Sequence, residues 1–216
     1  MSPTYLPAVL AVVSQCVLYA NGSVLNTNPW ISKFSSKPKS NCVPHEDFAT
    51  CTIQADPRAP YKLTGAVRFA QTDYCGAYSY LLVSVSLEGF PLSDPLTKHG
   101  YHVHQYGDLS DGCTSTGGHY NPFNMTHGAP FDQIRHVGDF GNIPAHDGIV
   151  KHYHRDRVAS IFGRYSILGR AIVIHAGTDD LGRGGKPSSK ENGNAGARLA
   201  CCIIGYGEEW YAADQQ

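Results

Sequence analysis

The chain has 216 residues, of which 42% are hydrophobic and 16% charged, and this composition excludes a disordered chain and suits one ordinary domain. A formal net charge of −1 gives no reason to expect nucleic acid or a membrane surface as a partner, and we expect neither. The 11 His are unusual, because imidazole is the commonest metal ligand among side chains.

The first twenty residues, MSPTYLPAVLAVVSQCVLYA, form an apolar run that ends in the small residue Ala20. The run is typical of a secretory signal peptide over 1–20, although no Lys or Arg precedes its apolar part. A buried strand or helix is the alternative, and the run is short for a membrane span of about 20 apolar residues. We therefore predict a secreted, extracellular protein, and the sequons at Asn21 and Asn124 suit a glycoprotein.

A polar segment rich in Ser, Asn and Pro follows the apolar run. We predict a loosely structured leader over 21–48, one domain over 49–207, and a tail over 208–216. If Cys16 leaves with the signal peptide, six Cys remain. An even number suggests disulfides in an exported protein, but six Cys allow 15 connectivities.

The domain is predicted to be all-β, since many turn residues interrupt short strand-like segments. The predicted strands cover 61–70, 78–88, 98–106, 157–163, 170–175 and 199–205. No segment shows helical periodicity over more than a few residues. Long Gly-rich connections occupy about 107–145 and 176–198. Structureless loops of that length are usually functional.

Histidines concentrate in one strand and one of these loops. His102 and His104 are two apart in a strand, so both imidazoles point to one face, which by itself is weak support for a metal site. The following loop adds His119, His127, His136 and Asp139, a nitrogen and oxygen set that suits tetrahedral zinc; solvated loop histidines are the alternative. His175 ends an apolar strand, and Asp179 and Asp180 follow it closely enough to hydrogen-bond metal-bound imidazoles.

Four ordered motifs, GYHVHQYGDLSDGCTSTGGHYNP, HVGDFGN, VIHAGTDDLGRGG and GNAGARLACC, resemble the copper/zinc superoxide dismutases, especially their extracellular branch. The resemblance covers about residues 50–205. It implies an eight-stranded antiparallel Greek-key β-barrel, or flattened sandwich, with two long functional loops. It also implies an oxidoreductase that converts superoxide to oxygen and hydrogen peroxide by alternate reduction and reoxidation of copper.

The resemblance further implies which residues hold the metals. Copper would be held by His102, His104, His119 and His175, and zinc by His119, His127, His136 and Asp139. His119 would bridge the two ions and handle a proton during catalysis, and Asp179 would link an imidazole of each site. Arg198 would attract the superoxide anion, whereas Glu191 stands where many intracellular members have a guiding lysine.

Two disulfides are implied in the same way, Cys113 with Cys201 and Cys51 with Cys202. Cys42 and Cys75 have no counterpart in the resemblance and could pair together, pair between chains or stay free. We expect a homo-oligomer, a dimer or a tetramer. A metal storage or transport protein on the same fold and an extracellular adhesion or matrix-binding module are the alternative functions.

Overall fold

The computed structural model describes residues 42–94 and 97–210. The predicted signal peptide, most of the predicted leader and Asn21 lie outside the described residues. The described residues form eleven strands: β1 (His45–Thr52), β2 (Gln54–Ala55), β3 (Thr64–Asp73), β4 (Leu81–Glu88), β5 (Lys98–His104), β6 (Ser110–Cys113), β7 (Asp139–Pro144), β8 (Ile149–Asp156), β9 (Ala171–His175), β10 (Arg198–Ile203) and β11 (Gly205–Tyr206). A 3₁₀ turn (Thr114–Thr116) and a short helix, α1 (Pro187–Asn192), complete the described part.

Ten of these strands form two antiparallel five-stranded sheets, and β6 belongs to neither. The first has the order β11-β1-β3-β4-β8 and the second the order β2-β10-β9-β5-β7. Eight strands have five or more residues, which confirms the all-β prediction. The two ladders do not join into a closed barrel in the described part of the chain, so the architecture is the flattened sandwich.

The strands around the histidines, β5, β7, β8 and β9, are connected as a Greek key. β7 pairs with one edge of β5 and the chain then crosses to β8 in the other sheet. β9 returns to pair with the opposite edge of β5. The spatial order β9-β5-β7-β8 is that of a Greek key. It places β5 and β9 side by side in the middle of the second sheet.

The core lies between the sheets. In β4, Leu81, Val83, Val85 and Leu87 alternate with more exposed residues and are at most 2% exposed. Alternation of this kind is expected of a strand with one buried face. β5 and β9 differ because long connections cover their outer faces, and every residue of β9 is buried.

The prediction of a strand over 157–163 is wrong, since the strand in this region is β8, which ends at Asp156. Val158, Ala159 and Ile161 are apolar, but their backbone N–H groups bond to side chains instead of a neighbouring strand. Oδ1 of Asp156 accepts the N–H groups of Val158 and Ala159, and the Gln71 side chain accepts the N–H of Ile161. Strand β1 also begins at His45, within the segment predicted as leader.

Three disulfides join these elements. Cys113–Cys201 and Cys51–Cys202 are the pairs that the resemblance implies. Cys42 pairs with Cys75, which answers a question that the sequence left open. Nowhere in residues 42–94 and 97–210 does a helix combine the length and the apolar character that a membrane crossing requires.

Candidate metal centre

Strand β5 presents two histidines on the outer face of the second sheet. The Tyr101 hydroxyl lies 2.8 Å from Nδ1 of His154 on β8, so Tyr101 faces the interior between the sheets. Neighbouring residues in a strand point to opposite faces, and His102 and His104 therefore point outward together. As predicted from the HxH spacing, both imidazoles lie on one face of a strand.

The first long connection returns His119 to this face. His119 forms a bridge with His104, and the next residue, Tyr120, donates its N–H to Val103 O at 2.8 Å. Val103 N–H donates to Gly138 O at 2.9 Å, and Gly138 N–H donates to Tyr120 O at 3.0 Å. A Cβ on Gly138 would lie 2.1 Å from Val103 O, so only glycine permits this close approach. The loop is therefore held against β5 by backbone hydrogen bonds.

Two groups of ligand atoms result. We call His102, His104, His119 and His175 the imidazole cluster, and His119, His127, His136 and Asp139 the carboxylate cluster; the ligand atoms within each lie within 4.8 Å of one another. The residues that the resemblance assigns to copper lie together in the first group, and those that it assigns to zinc lie together in the second. His119 belongs to both.

Five of the six imidazoles hold one ring nitrogen against an oxygen atom that belongs to neither cluster. His104, His175 and His136 contact the carbonyls of Gly117, Gly196 and Met125, and His102 and His127 contact the two carboxylate oxygens of Asp179, all at 2.8–3.1 Å. A neutral imidazole that donates one N–H keeps the lone pair of its other nitrogen for a metal. These acceptors therefore orient five lone pairs into the two clusters.

His119 has a different arrangement, because neither of its nitrogens faces such an acceptor. Nδ1 lies 2.9 Å from Asp139 Oδ1 in the carboxylate cluster, and Nε2 is buried without a hydrogen-bond partner among the described residues. Its ring centroid is 4.0 Å from that of His102 and 5.2 Å from that of His127. One nitrogen of His119 thus serves each cluster.

The carboxylate cluster is compact. Asp139 Oδ1 lies 2.9, 2.9 and 3.0 Å from Nδ1 of His119, His127 and His136. Asp139 Oδ2 accepts the backbone N–H groups of Gly128 and His136, which fixes the carboxylate plane. Ligands of tetrahedral zinc with bonds of about 2.0–2.1 Å lie ~3.3 Å apart, so the cluster needs to expand only slightly around an ion.

Asp179 connects the two clusters, and the protein fixes its position closely. The Asn142 side chain pairs with the backbone N–H and C=O of Asp179 at 2.8 and 2.9 Å. Gly193 packs against the carboxylate, where an added Cβ would lie 1.9 Å from Asp179 Oδ1. Asp180 takes no part and bonds to Ser189 and Asn194 instead. The sequence analysis identified Asp179 but missed Asn142. It also missed the backbone carbonyls that accept from the imidazoles, because every residue type has a carbonyl and its identity therefore gives no indication.

Burial controls the protonation of the metal-free imidazoles. Desolvation, reinforced by neighbouring imidazoles, lowers the pKa of His102 and His104 far below 6.5, and desolvation lowers the pKa of His175 to about 4. Desolvation also acts on His127, but the carboxylates of Asp139 and Asp179 outweigh it and raise its pKa to about 9. The imidazole cluster is therefore neutral and ready to bind a metal, and an ion in the carboxylate cluster would displace a proton.

An open cavity of about 560 Å³ gives access to the imidazole cluster. It is lined by His104, Gly118, His119, His175, Glu191, Asn192, Asn194, Ala195, Gly196 and Arg198. Arg198 is the cross-strand neighbour of His175 in the β9–β10 pair. Its guanidinium donates to Gly117 O at 2.7 Å and Thr116 Oγ1 at 3.0 Å. Glu191 carries the opposing charge in the same cavity.

Comparison with known proteins agrees with this geometry. Residues 63–204 match the family model described as copper/zinc superoxide dismutase (SODC). A superoxide dismutase [Cu-Zn] from Humicola lutea is 50% identical over 149 residues, 68% of this chain and 94% of that protein. The extracellular superoxide dismutase [Cu-Zn] of Homo sapiens is 38% identical over 223 residues, 91% of this chain and 88% of that protein.

The extracellular superoxide dismutase [Cu-Zn] of Rattus norvegicus is 46% identical over 163 residues, which cover 74% of this chain and 63% of the rat protein. The match therefore spans less than two thirds of that relative's length. The family model covers well over half of the chain, including every residue of both clusters. The chain belongs to the copper/zinc superoxide dismutase family.

Proposed function

We propose that this protein is a secreted copper/zinc superoxide dismutase that converts superoxide to molecular oxygen and hydrogen peroxide. The observation that carries the proposal is His119, whose two ring nitrogens face two different ligand clusters. A site for a single metal ion does not require an imidazole with one nitrogen toward each of two clusters. A redox-active ion next to a second, structural ion does require a residue that contacts both.

The donor sets fit one metal each. Four imidazoles suit copper, and the ligand set must bind it in two oxidation states. The four here are those of His102, His104, His119 and His175. Three imidazoles and a carboxylate are ligands that zinc takes in tetrahedral sites, here His119, His127, His136 and Asp139. Among the described residues, buried ring nitrogens of His102 and His119 lack a hydrogen-bond partner, and these are atoms that such ions would satisfy.

Copper, when bound, supplies the alternating one-electron chemistry, and zinc supplies fixed charge and order. The protein's own residues perform the remaining tasks. Arg198 presents a permanent positive charge in the cavity that leads to the imidazole cluster, and a superoxide anion is attracted to it. Burial lowers the pKa of Arg198, but a guanidinium remains charged at neutral pH. His119 can hold or release a proton at Nε2, next to the end of the cavity.

Glu191 acts against this attraction. It lines the same cavity as Arg198, whereas Lys186 and Lys190 are not among the lining residues. The cavity therefore carries one fixed positive and one fixed negative side chain. We infer that the protein attracts superoxide through Arg198 and the bound metals rather than through a lysine on α1.

Turnover distinguishes the enzyme from a storage or transport protein. We expect one copper and one zinc per chain in purified secreted protein, together with rapid loss of superoxide. Full metal occupancy without turnover would favour storage. Retention on a heparin column at physiological salt, with activity absent, would favour the matrix-binding alternative.

Export from the cell is supported by two independent features. The rat and human relatives are named extracellular superoxide dismutases. All six described Cys are paired, and disulfides persist mainly in oxidising compartments. Fractionation of cells and medium, with reading of the mature N-terminus, tests export and the cleavage predicted after Ala20.

We also infer a homo-oligomer. Tyr106 and Ile203 are 52% and 45% exposed, and Gly107, next to Tyr106, packs beside Ile203. Exposed apolar side chains grouped in this way favour a protein contact. Sedimentation of the secreted protein distinguishes a monomer from a dimer or tetramer.

A further inference from the structure

The loop that bears the carboxylate cluster also carries the sequon Asn124-Met125-Thr126. It lies between His119 and His127 and belongs to neither cluster. Asn124 and Thr126 are both exposed. Within the described residues, the side chains of Asn124 and Thr126 have no hydrogen-bond partner, so the metal centre does not depend on them.

The local backbone presents the Asn124 side chain at a tight turn. Asn124 has φ of 54°, and its N–H points to Asn121 O at 3.4 Å. The Asn121 side chain closes the turn, since Nδ2 donates to Met125 O and Oδ1 accepts the Met125 N–H at 2.8 and 2.9 Å. Asn and Asp tolerate this left-handed conformation better than other residues with side chains.

Met125, the middle residue of the sequon, directs its backbone polar atoms toward the protein rather than toward solvent. Met125 O also accepts the Nε2–H of His136 at 3.0 Å, on the side of the carboxylate cluster. The backbone of Met125 is thus used for the metal centre, while the flanking Asn124 and Thr126 face solvent. A large group on Asn124 can project outward without displacing a ligand.

We propose that Asn124 carries an N-linked oligosaccharide. This inference rests on the proposed export, because the reaction requires passage through a secretory compartment. The amide Nδ2 of Asn124 forms a bond to C1 of the first sugar of a lipid-pyrophosphate-linked oligosaccharide. The C1–O bond to the pyrophosphate breaks, the lipid pyrophosphate leaves, and one proton of the amide is lost to a base.

The test uses the full chain expressed in a eukaryotic secretory host and recovered from the medium. Reduction and trypsin cleavage release residues 99–135, which contain a single sequon. We expect most of this peptide to carry a glycan, and enzymatic release in heavy-oxygen water to convert Asn124 to labelled aspartate. An unmodified peptide from secreted protein would overturn the proposal.

Matched variants separate the modification from a structural role of the turn. Asn124→Asp keeps a residue that accepts positive φ, and Thr126→Ala leaves Asn124 in place; both should abolish the glycan with copper and zinc content unchanged. Thr126→Ser preserves the sequon and should keep the glycan. A glycan that persists in Thr126→Ala would contradict the assignment.

A second expression keeps the failure of export distinct from the failure of this proposal. The full chain is also placed behind an established secretory signal. If the natural chain stays in the cell but the redirected chain is modified at Asn124, export is wrong and the acceptor site is right. If both reach the medium without a glycan at Asn124, the acceptor site is wrong.

Discussion

At the scale of single residues, His119 has the most consequential position, because each of its ring nitrogens faces a different cluster. Under the proposed function, His119→Ala removes one ligand from both sites at once. We expect the variant to lose affinity for copper and for zinc together, whereas His104→Ala should affect copper chiefly. Metal content after dialysis against graded chelator measures both. Parent-like retention of both ions by His119→Ala would refute a shared ligand.

Asp179 acts through the imidazoles that it orients. Its two oxygens accept N–H groups from His102 and His127, so Asp179→Asn leaves one imidazole without its acceptor. Partners of this kind typically change metal affinity or activity by roughly 10–100-fold. Asp180→Asn is the matched control, because Asp180 bonds to Ser189 and Asn194. If chelator removes the metals from both variants at the same rate as from the parent, the orienting role is wrong.

Arg198 and Glu191 test electrostatic attraction in the cavity. Arg198→Glu should slow turnover more than Arg198→Gln, because charge reversal adds repulsion to the lost attraction. Glu191→Lys should increase the rate, since Glu191 lines the same cavity. The parent's rate should fall as salt rises, because screening shortens to about 8 Å at 0.15 M.

Copper content is measured in each of these variants so that lost metal is not read as lost attraction. The salt response should weaken or invert in Arg198→Glu. Identical rates and salt slopes in parent and variants would mean that neither residue attracts superoxide.

At the scale of elements, β8 introduces imidazoles into the interior of the sandwich. His154 contacts the Tyr101 hydroxyl, its ring stacks on that of His152 at 5.5 Å, and burial chiefly lowers its pKa to about 4. The unfolded chain therefore binds the proton first as pH falls. The stability contributed by neutral His154 is complete above about pH 6.5 and is lost progressively toward pH 4.

The size of this effect is up to roughly 3 kcal/mol, since one pKa unit corresponds to about 1.4 kcal/mol. His154→Leu should flatten the dependence of unfolding free energy on pH between about 6.5 and 4. Denaturant unfolding of parent and variant is compared at matched metal content. Loss of the metals in acid then affects both proteins equally and cancels in the difference between their unfolding free energies. His146→Leu, at an exposed turn position, is the control. Superimposable pH curves for parent and His154→Leu would contradict the prediction.

At the scale of the whole molecule, the adjacent Cys201 and Cys202 tie the sandwich together in two directions. Cys201 joins Cys113 in the outer loop, whose carbonyl accepts an N–H from Arg198. Cys202 joins Cys51 and so links β10 of one sheet to β1 of the other across 151 residues. Neighbouring residues in a strand point to opposite faces, which is why each needs its own partner.

The link between the sheets should matter most for global stability. Replacing Cys51 and Cys202 together with Ala should lower the unfolding free energy by up to about 5 kcal/mol in the chain-entropy model. Denaturant unfolding measures the loss, and metal content should be retained in the folded variant. An unchanged unfolding midpoint would show that the bridge does not constrain the unfolded chain.

How far the sequence predicts this protein differs between elements and depends on which residues carry the signal. The strands around β3, β4, β5, β9 and β10 were predictable because apolar and β-branched residues are dense there and turn residues bound them. β8 was missed because its interior positions hold His152, His154 and Asp156, which hide the alternation. The prediction of a strand after β8 is wrong because the backbone N–H groups there bond to the side chains of Asp156 and Gln71, and Gln71 is 90 residues away in the sequence.

The sequence by itself determined the chemical types and the spacing of the ligands, since HxH in a strand and a loop of His and Asp have local meaning. Family resemblance added their division into two sites. Only the tertiary structure placed Arg198 beside His175, put Glu191 in the same cavity and paired Cys42 with Cys75. It also supplied the carbonyls of Gly117, Gly196 and Met125 that aim the imidazoles. The physical reason is that a residue type records which bonds a side chain can make, whereas strand pairing decides which distant backbone atoms it meets.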